Sequence, residues 1–232
     1  MGKHYAIIGG TSGIGQASVA RLRQSGHSLY AATRRPEILQ QLGIPSQFFD
    51  ALEPTPLTWP DKLDGFVYFP GSITLKPFHR LNLADFIKDI HINLLGAVHA
   101  LQSALPALKA SQDASVVLFS TVAVDQGMPF HASIAAAKGA LEALARSLAA
   151  EWAPLIRVNV IAPSLTDTPL AGSLLSDDAK RAASAKRHPL QRIGNADDVA
   201  QMVEFLLSDA SRFMTGQTLR PDGGLTSVKL FT

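Results

Sequence analysis

The stretch AIIGGTSGIGQASVARL, residues 6–22, is an apolar run, a glycine-rich turn and then a helix-period segment. Gly9, Gly13 and Gly15 allow the main chain to approach a pyrophosphate closely. The helix that follows offers it unpaired N–H groups around Thr11, Ser12 and Ile14, and the positive end of its dipole. Placed after the first apolar run and opening a helix, this turn predicts a dinucleotide site rather than a purely structural bend. A second stretch, PFHASIAAAKGALEALARSLAAEWAP (residues 129–154), reads as an alanine-rich helix with one buried lysine, Lys138. His131 precedes it by seven residues, nearly two helical turns. If the helix extends that far, the two share a face about 10 Å apart along the axis. A histidine there is able to supply a proton near neutral pH; the competing reading is a surface or capping histidine just past Pro129. His91, His99 and Asp125 have no metal-ligand spacing and read as structural, and no metal site is expected.

The elements that position these residues follow from the apolar pattern. Candidate strands are Tyr5–Ile8, Ser28–Ala32, Gln47–Phe49, Gly65–Phe69, Ser115–Ser120, Arg157–Ile161 and Gln217–Arg220, with helical patterns near 14–25, 82–110, 131–152 and 196–208. Strands that alternate with crossover helices predict α/β architecture: a single Rossmann-type domain spanning 1–232, with a doubly wound parallel sheet and helices on both faces. The one long irregular stretch is Ser164–Gly194. In such sheets long loops after strand ends cover ligands, so this one is expected to be either a substrate cover or a solvated surface helix with a turn.

Composition narrows the function classes. The chain is 47% hydrophobic and 17% charged, which suits one domain with a large core. A net charge of +2, with the basic residues dispersed, argues against a nucleic-acid surface. The absence of cysteine excludes disulfides, thiolate metal sites and a cysteine nucleophile. No apolar run approaches the roughly 18 residues of a membrane span. A soluble cytoplasmic protein acting on a small molecule is the expectation.

In order along the chain, the motifs resemble the short-chain dehydrogenase/reductase family. Gly9, Gly13 and Gly15 match its glycine signature, and FFDALEP matches the segment that meets the adenine, giving Asp50 and Ala51. HINLLGAVHA carries the family asparagine as Asn93, ASVVLFSTVA is the active-site strand, and AAAKGALEALARSLAAE is the lysine helix. IRVNVIAPSLTDTPL matches the segment that cradles the nicotinamide, implying contacts at Pro163, Ser164, Thr166 and Thr168, and QRIGNADDVAQMVEFLLSDASRFMTGQTLRPDGG follows the C-terminal pattern. The resemblance implies further cofactor contacts at Gly71 and Lys138. It also implies pairing of the 82–110 and 131–152 helices into a homodimer or homotetramer, the second helix carrying small residues at Ala136, Gly139, Ala140, Ala143 and Ala150. At the end of the second strand, LYAATRRPE places Thr33 where a ribose-binding carboxylate would stand, with Arg34 and Arg35 behind it. Arginine gives charge-assisted bonds to phosphate, so NADP(H) is expected over NAD(H).

The same resemblance exposes three departures. The family's tyrosine acid, four residues before the lysine, is Ile134 here. Thr121 falls at the serine, with Ser120 beside it. YFPGS, residues 68–72, stands where Asn-Asn-Ala-Gly is usual, Phe69 and Pro70 removing bracing amides, and Ser164 replaces a usual glycine. Isoleucine donates no proton, and general acid–base help is worth about 10²–10⁴-fold. Two readings follow. One is an NADP(H)-dependent oxidoreductase passing hydride to a carbonyl, activated C=C or imine of a small apolar substrate. It would use Lys138, Asn93 and Thr121, with His131, a held water or a preformed iminium replacing the tyrosine. The other is a catalytically inactive NADP(H)-binding pseudo-enzyme that acts as a sensor or partner subunit.

Overall fold

Valine-, isoleucine- and alanine-rich runs that alternate with helices have to bury both faces of each strand, and they do so in one parallel sheet. The computed structural model of the protein describes residues 2–53 and 55–230. The strands are β1 (His4–Ile8), β2 (Ser28–Thr33), β3 (Ser46–Phe48), β4 (Gly65–Tyr68), β5 (Ala114–Phe119), β6 (Ile156–Ile161), β7 (Thr166–Asp167), β8 (Gly194–Asn195) and β9 (Thr218–Leu219). Seven of them form the sheet, in the order β3-β2-β1-β4-β5-β6-β9. Every pairing in it is parallel. The chain winds outward from β1 to β3, then crosses back to β4 and winds the other way. The switch point therefore lies between β1 and β4, where a crevice opens outside the carboxyl ends of the strands.

The helices are α1 (Gly13–Gln24), α2 (Pro36–Gln40), α3 (Leu83–Ile90), α4 (Gly96–Ser111), α5 (Ala132–Trp152), α6 (Asp178–Arg187) and α7 (Ala196–Leu207). On one face of the sheet Leu101, Leu108, Leu141, Ala145 and Trp152, from α4 and α5, meet Ala6, Phe66, Val116 and Val158. On the other, Val19 and Leu22 of α1 and Val199, Val203 and Leu206 of α7 cover Ile7, Val67 and Val117. This is the doubly wound sandwich expected from the sequence. Among the described residues no helix is long and apolar enough to cross a membrane.

Two segments differ from the expectation. The 82–110 helix is broken by a π-helical turn at His91–Leu95, which turns Asn93 fully inward. The stretch Ser164–Gly194 is more regular than one long irregular segment, and α6 is the solvated surface helix that was one of its two expected forms. It holds β7, a 3₁₀ segment (Pro169–Leu175), α6 and β8, and β7 and β8 pair as a small second sheet. Asp177 caps α6 by accepting the Lys180 N–H at 2.8 Å.

Candidate functional site

At the end of β1 the main chain takes left-handed conformations that side chains disfavour, with φ of 93° at Gly9, 93° at Gly10 and 52° at Gly13. A Cβ on Gly15 would lie 2.9 Å from the Gly10 nitrogen, so the α1 backbone closes directly onto the turn. Ser12 begins α1 without a side-chain cap, and its first turn has no acidic residue. The helix end thus presents bare N–H groups and positive potential to a cleft of about 1160 Å³. Gly9, Thr11, Ser12, Gly13, Ile14 and Gly15 all line that cleft.

Beside this turn β2 ends at Thr33, a buried hydroxyl residue that brings no carboxylate to the cleft. Its Oγ1 accepts the Arg35 N–H at 3.4 Å, and Arg35 Nη2 donates to Thr11 Oγ1 at 3.5 Å. Arg34 and Arg35, with Thr11, Ser12 and Thr33, line a side cavity of about 350 Å³; of the two arginines only Arg34 also reaches the main cleft. Asp50 and Ala51 form the opposite wall, where Asp50 Oδ1 accepts the Leu52 N–H at 2.9 Å.

Farther along the cleft, Lys138 projects from α5 and donates from Nζ to the Phe119 carbonyl at 2.7 Å. Burial pushes its ammonium down to about 7, against the opposing pull of the Asp89 charge. Ile134, one turn before it, is buried at the cleft wall, and Thr121 lies at the end of β5 with its Oγ1 accepting the Ala123 N–H at 3.3 Å. Gly71 lets these groups converge: a Cβ there would lie 3.3 Å from Asn93 Oδ1 and 3.9 Å from Lys138 Nζ.

Asn93 is not in the cleft wall. Its Nδ2 donates to Ser72 Oγ and to the Asp89 carbonyl, both at 2.8 Å, and Ser72 stands between it and the opening. His131 is the N-cap of α5, with φ of −100° and ψ of 12°; its carbonyl accepts the Ala135 N–H at 2.8 Å, and it lines the same cleft as Lys138. Its Nδ1 donates to the Pro129 carbonyl at 2.7 Å. The preceding residue, Phe130, is 56% exposed on the rim with φ of 71°, a strained conformation for an aromatic residue. His99 donates to the Thr55 carbonyl and stacks on Phe49, and Asp125 pairs with Arg220, matching the structural roles expected of both.

Pro163, Ser164, Thr166 and Thr168 also line the cleft, Thr168 close against the glycine turn, where a Cβ on Gly13 would lie 3.2 Å from its Cβ. The Pro163 carbonyl accepts the Val122 N–H at 3.3 Å, which brings Ser164 beside the Thr121 segment. Ser164 Oγ lies 2.9 Å from His188 Nε2, and His188 Nδ1 donates to the Ser184 carbonyl at 2.9 Å.

Four polar residues here escaped the sequence reading. Asp89, fully buried, accepts from Ser72 Oγ at 2.6 Å and Thr74 Oγ1 at 3.0 Å on one oxygen, while its Oδ2 has no partner. Glu142, buried one turn after Lys138, accepts from Ser120 Oγ at 2.5 Å. Ser72 and His188 are the others. The only available signal was spacing: Asp89 precedes Asn93 by four residues and Glu142 follows Lys138 by four, which puts each on its partner's face.

A parallel doubly wound sheet with a glycine turn at its switch point defines the nucleotide-binding class of α/β proteins. Residues 46–226 match a family described as enoyl-(acyl carrier protein) reductase. A tropinone reductase homologue of Arabidopsis thaliana is 34% identical over 244 residues, covering 97% of this chain and 93% of the relative. Among solved structures, the aldohexose dehydrogenase of Thermoplasma acidophilum is 26% identical with a TM-score of 0.89, covering 100% of this chain and 96% of that one. A gluconate 5-dehydrogenase from Burkholderia cenocepacia, solved with NADP and tartrate, is 26% identical with a TM-score of 0.87 over 98% and 96% of the two chains. The chain belongs to the short-chain dehydrogenase/reductase family of oxidoreductases.

Proposed function

We propose that the protein is an NADP(H)-dependent reductase acting on a carbonyl, activated C=C or imine in a small apolar substrate, without a tyrosine acid. The observation that carries this reading is the convergence of the glycine turn, Lys138, Thr121 and the β6–β7 segment on one cleft. When bound, the nicotinamide supplies the hydride. The residues fit such a group. The uncapped α1 terminus receives the diphosphate, and the cavity between Arg34, Arg35 and Thr11 suits a 2′-phosphate while Thr33 offers no repelling carboxylate. Asp50 and Ala51 flank the adenine. Gly71, Pro163, Ser164, Thr166 and Thr168 enclose the nicotinamide end.

Lys138 holds the ribose hydroxyls, and Thr121 holds the substrate oxygen. Asn93, behind Ser72, fixes the wall they stand on rather than touching substrate. Phe69, Ile73, Met128, Phe130, Ile134 and Leu170 give the cleft its apolar lining. The 164–194 segment acts as the substrate cover. Exposed Leu83 and Ile87 on α3 and Leu95 at the end of the π turn, with the small outer residues of α5, form a face that pairs two copies into a homodimer or homotetramer. Buried Ile134 favours a second reading, an NADP(H)-binding partner subunit with no turnover. NADPH oxidation measured against a panel of ketones, enones and cyclic imines tests the two. Turnover with any class supports the reductase; tight NADPH binding with no turnover supports the subunit.

A further inference from the structure

Ser164 and His188 are both buried and both border the cleft; His188 has no part in the reading above, and Ser164 only that of helping to enclose the nicotinamide end. A buried hydroxyl–imidazole pair costs desolvation unless every polar atom finds a partner, and here each does. The Ser184 carbonyl only accepts, so His188 Nδ1 carries a proton in any protonation state. Its Nε2 faces a hydroxyl that both donates and accepts. Neutral imidazole accepts the Ser164 O–H, whereas imidazolium donates Nε2–H to Ser164 Oγ. The ring therefore gains or loses a proton without either nitrogen losing its bond. His188 also approaches the C-terminal segment, where a Cβ on Gly223 would lie 3.5 Å from its own Cβ, and it adds a favourable charge interaction at buried Asp222.

The position of Ser164 completes the geometry. Strands β5 and β6 are neighbours, with Phe119 opposite Ile161, and the Val122 N–H to Pro163 carbonyl bond continues that pairing past the strand ends. Ser164 is the next residue, on the wall shared with Thr121 at the crevice end where Lys138 also stands. By contrast, His131 lies in the turn before α5, with Nδ1 held by the Pro129 carbonyl and no hydroxyl bonded to its ring among the described contacts.

We propose that Ser164 protonates the reduced substrate oxygen and that His188 resupplies Ser164, a relay that stands in for the absent tyrosine and rests on the reductase reading above. As hydride from NADPH reaches the carbonyl carbon, the C–O π pair becomes a lone pair on oxygen. That oxygen takes the Ser164 Oγ proton, and the Nε2 proton of the His188 imidazolium moves to Oγ, leaving neutral imidazole, alcohol and NADP⁺. Oxidation of the alcohol runs the same path backwards. Ser164 is the catalytic residue; His188 acts through it.

Ser164→Gly, Ser164→Thr, His188→Gln and His131→Phe test the relay, each measured for kcat, KM, NADPH affinity by fluorescence and thermal midpoint. Long-range ¹H–¹⁵N NMR of the histidine rings, with His188 assigned by its loss in His188→Gln, provides a readout independent of turnover. The relay predicts a kcat lower by about 10²-fold or more in Ser164→Gly and His188→Gln, with NADPH affinity within about two-fold in His188→Gln, and activity retained in Ser164→Thr. It also predicts a His188 ring held as the Nδ1–H form when neutral, with its Nε2 resonance shifted by Ser164→Gly. Unchanged kcat with weakened NADPH binding would assign the pair to cofactor orientation and overturn the relay. Loss in His131→Phe alone would assign the acid to His131 and overturn it as well. Normal NADPH binding without turnover by the unaltered protein would overturn the reductase reading first, and the relay with it.

Discussion

Lys138 gives the account its most quantitative consequence, through the dependence of stability on pH. Burial holds its ammonium at about 7, against an ordinary value of 10.5. Between those values the unfolded chain carries the lysine proton and the folded chain does not. Stability therefore rises with pH across this window, by up to about 1.4 kcal/mol per pH unit. Above pH 10.5 both states are neutral and the term vanishes; below pH 7 both are charged and the penalty is fully present. Lys138→Met removes the titrating group. It also removes the 2.7 Å bond to the Phe119 carbonyl, a pH-independent loss of about 1–3 kcal/mol. The difference in unfolding free energy between the two proteins, measured by urea titration without cofactor, should shift by about 4 kcal/mol in favour of methionine as pH falls from 10 to 7. It should be flat below pH 6. Because every other titrating group is common to both proteins, a difference that stays constant from pH 6 to 10 would refute the claim that Lys138 is held neutral by burial.

Four further outcomes are expected. Arg34→Ala should narrow the ratio of NADPH to NADH affinity by about ten- to a hundred-fold, the worth of one charge-assisted phosphate bond; equal affinities in the unaltered protein would remove the basis for this. Gly15→Ala places a methyl 2.9 Å from the Gly10 nitrogen and should weaken NADPH binding at least about ten-fold by fluorescence titration, an unchanged affinity contradicting the cradle. Ile134→Tyr should lower thermal stability, since overpacking a core site typically costs about 1–3 kcal/mol, yet raise simple-ketone reduction by adding a phenol near Lys138; stability lost with no gain in rate would show a pocket rebuilt around isoleucine. Light scattering should give a dimer or tetramer that Ile87→Arg dissociates toward 24.7 kDa, whereas a concentration-independent monomer before mutation would discount the pairing face.

The main sheet was legible because parallel strands buried on both faces read as unbroken apolar runs. Candidate strands at 5–8, 65–69 and 157–161 correspond to β1, β4 and β6 with end shifts of one residue. The glycine turn was legible because only glycine tolerates the φ of 93° found at Gly9. Helix α6, DAKRAASAKR, was legible only as one of two readings of its segment, a solvated surface helix: Ser184 is its only buried residue, so no apolar face fixes its bounds. Strands β7 and β8, two residues each, are too short to show alternation. In the site, Asp89, Glu142 and His188 were missed because periodicity shows which face packs, not which polar residue on it finds partners. The π turn at His91–Leu95 explains why Asn93 points behind Ser72 instead of into the cleft, a local underwinding that an even helical pattern does not reveal.

The central claim is that this chain moves hydride to a substrate although isoleucine occupies position 134. It is tested most directly by product mass spectrometry, using NADPH deuterated at C4 on one face and then on the other, with the panel of ketones, enones and imines. The account predicts one deuterium in the reduced product from one face only. Tight NADPH binding with no deuterium in any product from either face would contradict it.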